Sequence, residues 1–184
     1  PKSLIVADSL ASARPDSAIA LLNTLKESMK AESEATRMYY RLLCIKANDK
    51  AYIRHTSDSL ILPVLHYYTE KKDEHHLPEA YYYAGRVYRD LEDAPLALDY
   101  FQKAIDALPD NKGYRLKSKI YSQMGTLFLY QKTYDEALKI LKEARKCNIA
   151  LKDSASMVFN LRDIANGYRC LDQNDSSLYY LRKA

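Results

Sequence analysis

Catalysis or metal binding in this chain would have to rest on four histidines, three cysteines and a few paired carboxylates. His75 and His76 are adjacent, so on a helix their side chains point about 100° apart, and no Cys, Asp or Glu stands at ligand spacing to complete a tetrahedral site. They read as part of a solvated polar turn, Lys71–Leu77. His55 and His66 are isolated, with no partner named by spacing. Cys44, Cys147 and Cys170 are odd in number and lack CxxC spacing, which excludes a zinc motif and a disulfide framework and leaves helix packing. Glu32/Glu34 and Glu92/Asp93 are acidic pairs at helix ends or turns, set against no pocket. No G-x-G-x-x-G, P-loop, H-E-x-x-H or G-x-S-x-G occurs. The expectation is a chain without catalytic residues, metal or cofactor.

A second set of side chains suits recognition. Tyr82, Ser122 and Arg162 recur at one position of a 40-residue period. Arg86, Thr126 and Asn166 recur at another, Arg89, Leu129 and Arg169 at a third, with Lys119 and Tyr130 flanking. Arginine forks match carboxylates and phosphates, and tyrosines supply flat amphipathic contact area. A stripe of Tyr82, Arg86, Arg89, Lys119, Ser122, Thr126, Tyr130, Arg162, Asn166 and Arg169 would take an acidic peptide or a C-terminal carboxylate. The same residues would also serve simply to solvate a helix face.

The elements that carry this stripe follow from composition and periodicity. Among 184 residues there are only 4 Gly and 6 Pro, against 17 Tyr and no Trp. So few turn-formers argue for helices rather than many short strands. Gly85, Gly125 and Ala165 stand 40 apart, each followed three residues later by Tyr88, Phe128 and Tyr168. Ala97, Ala137 and Ser177 keep the same interval, as do Phe101, Leu141 and Leu181, then Ala104, Ala144 and Ala184. Each unit reads as two helices. Tyr81, Ala84, Gly85, Tyr88 and Leu91 form the apolar stripe of the first; Ala97, Leu98, Phe101, Ala104 and Ile105 form that of the second. Pro95, Asp135 and Asp175 occupy the opening turn of the second helix, where proline is tolerated and acid complements the helix dipole. Small residues let the two helices approach, and the aromatic is expected to fill the wedge between adjacent hairpins. Each unit then leaves an apolar face for its neighbour.

This pattern resembles the tetratricopeptide repeat (TPR) family: a small residue, an aromatic three on, and Ala-x3-Phe-x2-Ala in the second helix. The resemblance implies an all-α, right-handed superhelix of antiparallel hairpins, with the first helices lining a concave groove for an extended peptide. It covers residues 78–184, as units 78–117, 118–157 and 158–184. The 40-residue period exceeds the family's usual 34, with the excess in the linkers Pro109–Tyr114 and Asn148–Asp153. Upstream the register fails, since Ile45 stands forty before Gly85. Residues 1–77 are expected to be degenerate hairpins, with helices at 3–13, 16–28, 32–47 and about 57–71. A loop falls around Asn48-Asp49-Lys50, and Pro63 delays or bends the last helix. About nine helices result.

The net charge of +4 and pI near 8.8 are mild, and Glu79, Asp90 and Asp163 interrupt the basic stripe. Nucleic-acid binding is therefore the lesser alternative to a protein partner. No run reaches the length of a bilayer span. Ala184 falls inside the second helix of the third unit, so the chain is expected to be part of a longer protein and to be able to self-associate through Tyr179-Tyr180-Leu181. The phrases Ala7–Leu10, Arg14–Ala18, Thr56–Leu60 and Ala80–Tyr88 resemble envelope-associated TPR proteins of Bacteroides-type bacteria. That resemblance implies an exported or lipid-anchored sensing region, followed by a membrane helix and a cytoplasmic regulator or kinase. A cytoplasmic location is the alternative.

Overall fold

The computed structural model describes residues 1–109 and 112–184; Asp110 and Asn111, within the expected Pro109–Tyr114 linker, lie outside the described residues. Among the described residues the structure is all-α, with ten α-helices and one short 3-10 turn, one α-helix more than expected. The last of them, the second helix expected for the unit 158–184, is only 8 residues long.

The chain packs as two compact units, residues 1–107 and 108–184. The first holds α1 (Lys2–Ala13), α2 (Pro15–Leu25), the 3-10 turn Ser28–Ala31, α3 (Glu34–Lys50), α4 (Ile61–Glu70), α5 (Leu77–Asp90) and α6 (Ala94–Asp106). The second holds α7 (Tyr114–Tyr130), α8 (Tyr134–Leu151), α9 (Ser154–Cys170) and α10 (Asn174–Leu181). Division by repeat and division by packing thus differ: α5 and α6 match the later hairpins in sequence, but α5 packs on α3 and α4.

In the first unit Leu4, Ala7 and Ala11 of α1, Ala18 and Leu22 of α2, and Leu43 and Ala47 of α3 form one buried cluster. Lys46 ties the same region together, its ammonium donating to Asp8 on α1 (2.7 Å) and Glu79 on α5 (2.8 Å), while the Tyr39 hydroxyl donates to Asp8 at 3.0 Å. Phe101 of α6 lies against Gly85 of α5 so closely that a Cβ there would stand 2.5 Å from the ring. Burying a ring of this size contributes about 1.5–3 kcal/mol, and only glycine permits this approach. In the second unit Leu141 meets Gly125 in the same way, and Leu138, Leu141 and Ile164 are the buried centre.

Helix ends have a common construction. Tyr52, Lys72, Glu92, Lys132, Lys152 and Asp172 all have φ between +50° and +66°. At each, the residue's N–H bonds the carbonyl three back, and the following N–H bonds the carbonyl five back. This left-handed closure satisfies orphan helix carbonyls. The corners recur at intervals of 20 residues within 52–92 and within 132–172, so the hairpin rhythm runs back into α3 and α4, where the side-chain register had failed. Asp93 and Asp153 follow such corners and cap the next helix, accepting from Leu96 N and Ser156 N at 3.0 Å.

Three expectations change and one is met. Asn48, Asp49 and Lys50 are the last turn of α3 rather than a loop, because the chain closes its helix at Tyr52. Pro63 delays α4 to Ile61, as expected, and so falls in its first turn, where its missing N–H costs nothing. His76 is half-buried rather than solvated: its ring stacks on Tyr68 at 5.1 Å and its Nδ1 is 2.9 Å from Asp73. The repeated aromatic stacks within its own hairpin, Tyr88 on Tyr100 of α6 (5.3 Å) and Tyr168 on Tyr180 of α10 (5.4 Å).

Candidate functional site

In the second unit, Arg162, Asn166 and Arg169 lie on one face of α9, at the i, i+4, i+7 spacing that aligns side chains along a helix. With Asp163, Ser177 and Leu181 they line a groove of about 360 Å³ between α9 and α10. Its floor is closed by the Ser177 hydroxyl, which donates to the Ala165 carbonyl at 2.9 Å. The arginines are held lightly. Arg162 donates to its neighbour Asp163 at 3.1 Å and its side chain is 61% exposed; Arg169 donates to the Asn166 amide oxygen at 2.7 Å. Exposed pairs of this kind are worth about 0–1 kcal/mol, so an incoming carboxylate can replace them at little cost. Phe159, 59% exposed, lies beneath the Arg162 guanidinium at 5.4 Å and adds apolar surface beside the charge.

On α7, Thr126 donates to the Ser122 carbonyl at 2.9 Å, both residues being half-buried. Tyr130 at the end of α7 is 80% exposed, and Lys119 is half-buried.

The corresponding residues of α5, in the first unit, are differently disposed. Tyr82, expected on an exposed stripe, is only 3% exposed, packed against Tyr83 and Phe101. Burial accordingly raises its phenol above the ordinary range. Arg86 extends to Asp49 on α3 (2.6 Å), whose side chain is 2% exposed. Arg89 donates to Asp90 at 2.6 Å. The segment after α3 then lies against this end of α5. Arg54 donates from Nε to the Asp90 carbonyl and from its terminal nitrogen to Glu92, both at 2.8 Å, and the His55 N–H donates to Asp90 at 3.0 Å. Asp58 accepts from the Tyr88 hydroxyl at 2.8 Å. Arg89 and the His55 N–H hold the Asp90 carboxyl low against the opposing effect of burial, while burial pulls the His55 imidazole down. Tyr82, Arg86 and Arg89 are thus parts of a closed polar network, and His55, thought isolated, belongs to it. His66 stands 3.5 Å from Glu70, one turn along α4.

Asp49 carried the one signal in the sequence that could have found this network: it stands forty residues before Arg89, in the ladder that continues to Leu129 and Arg169. Nothing in the sequence marked the segment 54–58. Among the described residues no three His, Cys, Asp or Glu side chains are grouped to hold a metal ion, and no helix is long and apolar enough to cross a membrane.

Comparison with known proteins agrees with the helical-hairpin fold. A family model for the tetratricopeptide repeat matches residues 78–111, which comprise α5, α6 and the start of the linker after them. No curated protein matches the chain. Among solved structures, the nearly identical TPR-like repeats described for a Podosopora anserina kinesin light chain superpose with a TM-score of 0.71 at 11% identity, covering 99% of this chain and 91% of that one. A crystal structure of MamA gives a TM-score of 0.65 at 17% identity, covering 97% and 91%, and MamA from AMB-1 gives 0.61 at 18%, covering 99% and 94%. Residues 78–111 match the tetratricopeptide repeat, and the chain adopts a TPR-like fold.

Proposed function

We propose that the protein is a non-catalytic docking scaffold that takes an acidic or C-terminal-carboxylate segment of a protein partner on the α9 stripe. Helical-repeat folds of this type generally mediate protein–protein interaction. The observation that carries the reading is the open groove where Arg162, Asn166 and Arg169 stand together on α9 with exchangeable partners. Two guanidinium forks with an amide between them match a carboxylate and a neighbouring acidic side chain. Arg86 is not a clean probe of binding, because it pairs with buried Asp49. The test is fluorescence polarisation with acidic peptides bearing free or amidated C-termini. Arg162→Glu/Arg169→Glu is expected to reduce affinity at least tenfold with helicity unchanged, since each lost charge-assisted bond is worth about 1.5–3 kcal/mol. Undiminished binding by that variant sinks the proposal.

In the cell this scaffold would be the sensing or docking part of a longer signalling protein of the envelope, a reading supported only by the resemblance of its repeat phrases. Sequencing the whole reading frame tests it: a lipobox or membrane helix supports it, and a compact cytosolic frame overturns it.

One observation favours a second reading, self-association. Leu178, Tyr179 and Leu181 of α10 are each about half exposed, whereas Leu138 and Leu141, forty residues earlier, are buried against α9. Leu178→Glu would then abolish dimers seen by light scattering; a monomer in the unaltered protein eliminates this reading.

A further inference from the structure

A separate pocket lies in the first unit, remote in sequence from the arginine stripe. The end of α2, the 3-10 turn and α3 enclose about 420 Å³, within the roughly 300–1,000 Å³ of small-ligand pockets. Four cations line it: Lys26, Lys30, Arg37 and Arg41. Lys30 bonds the exposed Glu27, while no carboxylate among the described residues pairs with Lys26, Arg37 or Arg41. Arg37 and Arg41 are four apart on α3, where like charges destabilise a helix by a few tenths of a kcal/mol. A merely solvated face would gain from an acid at one of those positions.

The other walls are apolar. Met29 is buried, Cys44 is half-buried, and Leu60 borders the opening. Tyr40 donates its hydroxyl to the Leu22 carbonyl at 3.2 Å, so its polar end is already satisfied and its ring is left to line the pocket. A site for a bare inorganic anion would have no use for this apolar wall. A purely apolar cavity would not gather four cations around it.

We propose that this pocket binds a small amphiphilic anion, its carboxylate or phosphate held by Lys26, Arg37 and Arg41 and its apolar body laid on Met29, Tyr40 and Cys44. Cys44 reports on occupancy from inside the pocket. Cys170 is exposed and Cys147 is buried, so in a Cys170→Ser background Cys44 is the accessible thiol.

The experiment measures alkylation of Cys44 by iodoacetamide in that variant, with decanoate, decyl phosphate, decanol or inorganic phosphate present. Decanoate and decyl phosphate are expected to slow the reaction; decanol and inorganic phosphate are not. Arg37→Gln/Arg41→Gln should weaken decanoate binding by calorimetry on the order of tenfold or more, with the circular dichroism spectrum retained. Should that pair unfold the helix, Lys26→Gln/Lys30→Gln, on exposed flexible side chains, reads out the same loss. Phosphatidylglycerol vesicles separate the sources: protection by vesicles alone assigns a membrane lipid of this chemistry, and protection by decanoate alone a free amphiphile. Equal protection by decanol or by inorganic phosphate overturns the proposal. So does decanoate binding that leaves Cys44 reactive, or no protection by any anion.

Discussion

The α5 stripe of the first unit and the α9 stripe of the second occupy the same repeat register and have opposite fates. On α5, Tyr82 is buried, Arg86 is committed to Asp49, and residues 54–58 are bonded across the end of the helix. On α9, Arg162 and Arg169 reach no farther than their own helix. Much of the difference traces to the preceding first helix of each unit. α3 presents Asp49 where α7 presents Leu129, and Leu129 reaches the α9 backbone near Gly167 instead of pairing with an arginine. Two register positions therefore differ, Asp49 against Leu129 and Arg86 against Asn166, and with neither member of that pair on α7 and α9 the arginines of α9 keep partners on their own helix.

Four changes break or sharpen that comparison, the largest first. Arg86→Ala leaves the Asp49 carboxylate buried without its partner and should cost about 3–5 kcal/mol in urea unfolding, whereas Arg162→Ala should stay within about 0.5 kcal/mol. Equal costs would erase the distinction between the two stripes. Gly85→Ala forces a methyl into the rigid Phe101 ring and should cost about 1–3 kcal/mol. Gly125→Ala should cost less, because Leu141 can change rotamer. The third repeat, 158–184, already carries Ala165 at this place, beside a half-exposed Leu181.

Smaller and of opposite sign, Lys72→Gly and Lys152→Gly should each stabilise modestly in thermal or chemical unfolding, because relief of about 1–2 kcal/mol of left-handed strain exceeds the cost, about 0.4–1 kcal/mol, of glycine's freedom in the unfolded chain. A similar gain in the two units would show that their corners are built alike while their stripes are not. The last lever is pH. Burial lowers the His55 imidazole from its ordinary 6.5, so below that pH the unfolded chain binds a proton that the folded unit resists. Stability from this group is complete above pH 6.5 and falls as the pH drops toward the folded value. His55→Gln should remove that part of the slope in a pH series of urea midpoints; an unchanged slope would place it elsewhere.

The hairpins of residues 78–184 were legible because small and aromatic residues repeat in step with helix periodicity. The α9 stripe was legible because Arg162, Asn166 and Arg169 share one helical face. Tyr82 misled for a definite reason: Tyr81, Tyr82 and Tyr83 sweep most of a helix circumference, so spacing alone cannot say which ring is inward. Asn48-Asp49-Lys50 has the composition of a turn, but the backbone closure lies beyond it at Tyr52, and Asp49 is paired with Arg86, 37 residues away in sequence. The corners were hidden because Lys, Glu, Asp and Tyr do not announce left-handed backbone as glycine does. Contacts such as Arg54 with Glu92 depend on how the chain returns on itself, which no local pattern encodes.

The corners set a unit of length for editing this chain. Each closes its own two backbone bonds, so one corner can be joined to the helix that follows another. Deleting residues 133–172 would connect Lys132 directly to Gln173, between two junctions of identical hydrogen bonding. That excision removes two helices, and the chain leaves the joint running the way it did before. An excision of twenty residues would remove one helix and send everything downstream in the reverse direction. Growth and loss in this architecture are therefore counted in pairs of helices, with parity as the constraint and loop length as a free variable.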